Sequence, residues 1–215
     1  MFIGHFALGF AAKRAVPRVS LATLFAAAIF ADLLWPLLLA TGLEQVRVVP
    51  GITVMTPFDF VSYPYSHSLV MLLVWGALFG WICTRGVPDT RAFGVLFALV
   101  VSHWFLDYMT HRPDMPLYPG GPKFGLSLWN YPMAERTIEI AMYAIGAWIY
   151  LRATTARDGI GRWGLLSLTA LLPILYLASS APPPSLTALW IAALAGGALT
   201  LAWSYWADAH RGAHD

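Results

Sequence analysis

Apolar residues dominate long stretches of the chain, at 19–41, 66–84, 92–110, 136–152, 163–180 and 186–207, with a shorter run at 2–12. Crossing a hydrocarbon core of about 30 Å takes roughly 20 helical residues, and the longer runs approach or exceed that length. Backbone polar groups in lipid must be satisfied within their own segment, and no stretch alternates as a barrel strand would. The expected fold is therefore all-α, a polytopic helical bundle of about six to seven transmembrane helices forming a single domain over 1–215.

Composition agrees: 59% of the 215 residues are hydrophobic and only 11% are charged, which excludes an ordinary soluble domain. The opening "MFIGHFALGFAAKR" carries its basic residues after the apolar stretch, so it reads as retained chain rather than a signal peptide. Cys83 is the only cysteine, which leaves no intramolecular disulfide and no thiolate metal cluster.

The net charge of +2 marks no nucleic-acid partner; its distribution is more informative. If each run crosses once, one side collects Lys13, Arg14, Arg18, Arg85, Arg91, Arg152, Arg157, Arg162 and Arg211, and the other keeps Arg47, Arg112, Lys123 and Arg136. The first side is then cytoplasmic. The outer connections 42–65 and 111–135 are long and rich in Pro, Gly and aromatics, the chemistry of functional loops, and "APPPS" at 181–185 is a stiff outer turn. Trp35, Trp104, Tyr108, Trp203 and Trp206, near run ends, read as interfacial anchors.

Against this background some residues do not belong. His5, Asp32, His103 and Asp107 sit inside apolar runs, His67 stands at the mouth of its helix, and Glu135 and Glu139 open the next. An ionised Asp at a helix centre costs about 2.5–3.5 kcal/mol on insertion scales, so these groups must compensate one another, hold a metal, or form a proton path. At 1.5 Å per residue Asp32 lies roughly 20 Å from the cytoplasmic start of its helix, and His103 and Asp107 roughly 17 and 23 Å along theirs. With His67 and Glu139 entering from outside, these groups converge on one layer in the outer half of the membrane. His5, about 10 Å from the basic turn, joins them only if its helix is short or its turn sits deep.

In "SHWFLDYMTHRPD", His103, Asp107 and His111 share one helix face, and Pro113 ends the helix just beyond. Imidazole and carboxylate ligands suit Zn²⁺, with Mn²⁺ or Fe²⁺ as alternatives. Glu135 is expected to pair with Arg136 or cap its helix. Asp59, Asp89, Asp114, Asp158, His210 and His214 are expected on solvated surface. Arg112, Lys123 and Arg136 are candidates to bind an anionic substrate at the outer rim.

"GHFALGFAAKR", the Asp of "ADLLWP", "SHSL" opening a helix and "SHWFLDYMTH" together resemble the YdjM-type family of inner-membrane metal-dependent hydrolases. The resemblance spans about 1–140, and implies that this part is the metal-site core, with 141–207 as packing helices and 208–215 as a tail. It implies His5, Asp32, His67, His103 and Asp107 as ligands, with Thr110 on the family's threonine. Two departures bear on metal number: "ADLLWP" lacks the family's second Asp, and "YPYSHS" replaces its "HR-x-x-THS", so one metal is expected. A more distant likeness to bacterial zinc phospholipases suggests phosphoester hydrolysis. The resulting expectation is an inner-membrane hydrolase acting on a lipid or lipid-linked phosphoester at the outer leaflet, with Glu139 or His111 moving protons. A proton-coupled transporter and a non-catalytic scaffold are the alternatives.

Overall fold

A computed structural model describes residues 1–178 and 182–213, so His214 and Ala181 of the outer turn lie outside the described residues. The chain is mostly helical. Helix α1 (Ile3–Ala12) is followed by α2 (Leu21–Ala28) and α3 (Phe30–Ala40), the one-turn α4 (Pro64–His67), α5 (Leu69–Thr84), α6 (Thr90–Thr110), α7 (Pro132–Ala153), α8 (Gly159–Ala178) and α9 (Leu186–Ala209). Three short antiparallel ribbons interrupt the all-α expectation: β1 (Gln45–Val48) with β2 (Phe58–Ser62), β3 (Met115–Pro116) with β4 (Lys123–Phe124), and β5 (Thr154–Ala156) with β6 (Arg211–Ala213). They tie down loops and the chain end.

Local chemistry sets several of the boundaries. The side chains of Ser20, Ser68, Asp89 and Ser185 each accept a hydrogen bond from the backbone N–H three residues on, capping α2, α5, α6 and α9. Asp89 is exposed as expected and caps its helix from there.

Of the six or seven spans expected, three helices among the described residues (α6, α8 and α9) are long and apolar enough to cross a membrane, with a fourth if α2 and α3 count as one. The shortfall has physical causes. The 19–41 run bends by 60° at Ile29, and the 66–84 run yields 16 helical residues, about 24 Å. The 136–152 run lies in a helix that carries Glu135, Arg136, Glu139 and Arg152.

Two apolar clusters form the core. One joins α2, α3, α5 and α6 through Leu24, Ala31, Leu72, Leu96 and Val100; the other joins α1, α2, α7 and α8 through Phe10, Phe25, Tyr150, Leu165 and Leu168. Helix α1 lies so close to α7 that a Cβ on Gly146 would stand 2.3 Å from the Ala7 carbonyl oxygen. Two cations assigned to the cytoplasmic rim are in fact buried. Lys13 Nζ lies 2.7 Å from Asp208 Oδ2, whose carboxylate also accepts from Tyr150 and the Leu21 N–H. Arg211 donates to Gly161 O and to Thr154. Arg14, Arg18, Arg85, Arg91, Arg152, Arg157 and Arg162 are exposed as expected.

Candidate metal centre

Helices α1, α3, α4 and α6 bring His5, Asp32, His67, His103 and Asp107 together, and His111 joins them as the C-cap of α6. All except Asp32 are buried; the Asp32 side chain is 44% accessible, and its open side faces a cavity. The short α1 resolves the His5 depth problem, since its start reaches this layer. His5 Nε2 lies 3.1 Å from Asp107 Oδ1, and its ring stacks on His103 at 3.9 Å. The same Oδ1 accepts from the Met1 amino group at 2.6 Å, and that amine also reaches Thr110 Oγ1.

Three imidazoles are held in the same sense. His103 Nδ1 lies 3.0 Å from the carbonyl of Ala28, at the elbow between α2 and α3. A carbonyl only accepts, so Nδ1 carries a proton, and in the neutral ring Nε2 carries the lone pair. His67 Nδ1 meets Ser66 Oγ at 2.7 Å, and Ser66 Oγ stands 2.5 Å from Glu44 Oε2. Because the carboxylate takes the hydroxyl proton, Ser66 must accept from Nδ1, and again Nε2 is bare. His111 Nδ1 lies 3.0 Å from Asp114 Oδ1, which also accepts from Tyr63 at 2.9 Å. Burial lowers the His111 pKa, keeping the ring neutral at neutral pH. Burial also raises the Tyr63 hydroxyl well above its ordinary value, with Asp114 adding to the shift, so it stays a donor.

The three bare nitrogens converge on Asp107 Oδ2, at 3.2 Å for His103, 3.6 Å for His111 and 3.8 Å for His67. Asp32 Oδ1 stands 3.7 Å from His67 Nε2 and 3.8 Å from His103 Nε2, and the latter has no hydrogen-bond partner among the described residues. With these rings neutral, lone pairs face lone pairs, an arrangement that a cation, whether a metal ion or a proton, stabilises. The spacing suits one, since ligands at about 2.0–2.1 Å from a tetrahedral ion stand roughly 3.4 Å apart. The groups His5, His103, Asp107 and Asp32, His67, His103 each have ligand atoms within 4.8 Å of one another and could hold a metal ion.

Several outlying expectations change. Asp114 is buried against His111 rather than solvated, and Asp59 bridges Arg47 and Arg112 at 3.0 and 2.8 Å. Asp158 is exposed as expected, and there it pairs with His210 at 2.6 Å. Glu135 does not pair with Arg136; it is fully buried and accepts from the Tyr176 hydroxyl. Trp35 is no interfacial anchor, being buried against Phe60 beside His67, and Trp104 is buried with its indole N–H on Pro116 O. Glu139 accepts from the Phe2 and Gly4 N–H groups, holding the start of α1. Glu44, Ser66, Tyr63 and Asp114 had no spacing signal strong enough to single them out, although Asp114 three residues after His111 was a readable pair.

A cavity of about 410 Å³ opens from the cluster. Asp32, His67, Asp107 and His111 line one part of its wall, and Glu135, Arg136, Glu139 and Tyr176 another. Apolar residues complete it, among them Phe58, Phe60, Leu177, Leu189 and Ala192. Of the three candidate substrate cations, only Arg136 lines it. Arg112 is engaged by Asp59, and Lys123 Nζ by the Val61 carbonyl.

No curated protein and no solved structure matches the chain. The model of the family described as YdjM inner membrane protein matches residues 1–207, well beyond the 140 or so that the motifs cover, and the chain belongs to that family.

Proposed function

We propose that this protein is a multi-pass inner-membrane hydrolase that uses one divalent metal ion, zinc foremost, to cleave a lipid or lipid-linked phosphoester at the outer leaflet. The observation that carries the reading is the convergence of the His67, His103 and His111 Nε2 atoms on Asp107 Oδ2, each ring fixed through Nδ1. Fixing the far nitrogen of a ligating histidine is how proteins set its tautomer and basicity.

In this reading His67, His103, Asp107 and Asp32 hold the ion, with His111 as a further ligand and His5 supporting Asp107. A divalent ion held there would supply Lewis acidity toward a phosphoryl oxygen and would make bound water a stronger acid. Arg136 receives the phosphoester charge in the cavity. Glu139 sits on the same wall, held by the Phe2 N–H, and is the group proposed to move the proton to the leaving oxygen. The apolar wall of Phe58, Phe60, Leu177 and Leu189 accepts the hydrocarbon part of the substrate, which favours a lipid over a soluble ester. The outward orientation is proposed from the positive-inside reading of the Arg-bearing connections in the sequence.

Elemental analysis of the purified protein tests this directly. Wild type is expected to carry a divalent transition metal and to hydrolyse phosphoesters in reconstituted vesicles, while His103→Ala and Asp107→Ala lose both. Folded wild type without a transition metal overturns the reading and favours the proton relay.

A further inference from the structure

Glu135 lies in the cavity wall yet plays no part in the cluster. It is fully buried; Oε2 accepts the Tyr176 hydroxyl, and Oε1 has no hydrogen-bond partner among the described residues. A buried acceptor left bare is costly, so such a group in a cavity wall marks where a ligand donor belongs. Glu139, one helical turn on and the proposed proton carrier, lies on the same wall. Phe2 and Tyr176 line it too, their rings stacked at 6.2 Å and 14°. Carboxylate plus aromatic rings is the chemistry that receives an organic ammonium group, by charge and by cation–π attraction.

We infer that Glu135, with Tyr176 and Phe2 beside it, forms a subsite for an ammonium group, so that the ligand is a phosphoester carrying an amine, as in a zwitterionic lipid headgroup. The inference rests on the cavity being the substrate site proposed above. Arg136 and the His/Asp cluster suit the phosphate, Glu135 the opposite charge, and one cavity holds both. Glu135 is thus a specificity residue that selects among phosphoesters, distinct from the groups that act on the bond.

The test is binding, read separately from catalysis. Protein in phosphatidylglycerol nanodiscs is titrated with dodecylphosphoethanolamine, whose ammonium carries N–H donors, and with dodecyl methyl phosphate, a phosphodiester of the same phosphate charge without it, each below its micelle concentration. Wild type is expected to prefer the ammonium-bearing ligand by about tenfold or more, the size of one charge-assisted contact. Glu135→Gln, which keeps an acceptor for Tyr176, is expected to bring the two affinities together with its metal content intact. Equal binding of both ligands by wild type, or loss of metal from Glu135→Gln, overturns the subsite. The wild-type comparison stands even if the variant fails to fold. Chain-free phosphoethanolamine decides the source: binding as tight as dodecylphosphoethanolamine supports the subsite for a soluble ester, and weaker binding supports it for a lipid. Hydrolysis without an ammonium preference refutes this inference alone, whereas preference without hydrolysis refutes the proposed activity alone.

Discussion

Glu44→Gln changes one atom type and almost no volume, yet the His67 geometry gives it a specific consequence. Glu44 Oε1 accepts from the Tyr65 and Ser66 N–H groups at 2.8 and 2.9 Å, and Oε2 takes the Ser66 hydroxyl proton at 2.5 Å. In the variant the amide oxygen stays on the two backbone donors, which turns the NH₂ toward Ser66. Ser66 Oγ then accepts from the amide and donates to His67 Nδ1. The tautomer inverts, placing a proton on Nε2 against Asp32 and Asp107. The number of hydrogen bonds is conserved, but their charge assistance is lost, so stability should fall by only about 1–2 kcal/mol. Metal affinity should fall further than this near-isosteric change suggests, by about 10–100-fold, the usual effect of disturbing a ligand's supporting group. Ser66→Ala makes the contrast: it leaves the His67 Nδ1–H unpaired and should cost about 3 kcal/mol of stability. Competition for Zn²⁺ against a chromophoric chelator measures affinity, and ¹⁵N spectra of the imidazoles report the tautomer. Glu44→Gln protein that binds zinc within about twofold of wild type, with His67 still protonated at Nδ1, would refute the reasoning.

Three further outcomes are expected. Lys13→Met strands the Asp208 carboxylate and should cost about 3–5 kcal/mol in chemical unfolding, most of it regained on adding Asp208→Asn; a double variant no better than the single one sinks this account. Gly146→Ala should destabilise by about 1–3 kcal/mol because its methyl meets the Ala7 backbone, whereas Gly94→Ala, with nothing within 4 Å, should not; equal thermal shifts would show that α1 yields freely. The Asp158 pKa is depressed by the Gly161 N–H bond first and by His210 second, so NMR titration should find it below the ordinary value even in His210→Ala. A depressed folded-state pKa means this stabilisation is present above the ordinary Asp value and lost as pH falls through the folded one. An ordinary Asp158 value in the variant would assign the shift to His210 instead.

The parts of this site that the sequence disclosed are those encoded by local spacing or by cost. His103, Asp107 and His111 were legible because i and i+4 share a helix face, and Asp32 and His67 because charge in an apolar run needs a partner. The groups that hold the rings were not. Glu44 lies 22 residues from Ser66 and reaches it only because the β1–β2 ribbon folds the loop back. The span count and the helix lengths part where hydropathy ignores direction: it cannot register a 60° bend at Ile29 or the burial of Glu135 and Glu139 against protein. Lys13 and Arg211 show the converse, cations that a charge tally places at a headgroup but that tertiary contacts place inside.

The elbow between α2 and α3 has a consequence for how this centre can change. One imidazole is oriented by a peptide carbonyl, that of Ala28, and no substitution at residue 28 removes it. Irregular backbone at membrane depth survives only where protein or a cavity receives its polar groups. Here the receiving group is itself a proposed metal ligand, so straightening the helix would cost both the carbonyl its partner and His103 its orientation. Helix path and ring tautomer are in this way one variable, which mutational drift can alter only through residues such as Ile29 that set the angle of the bend.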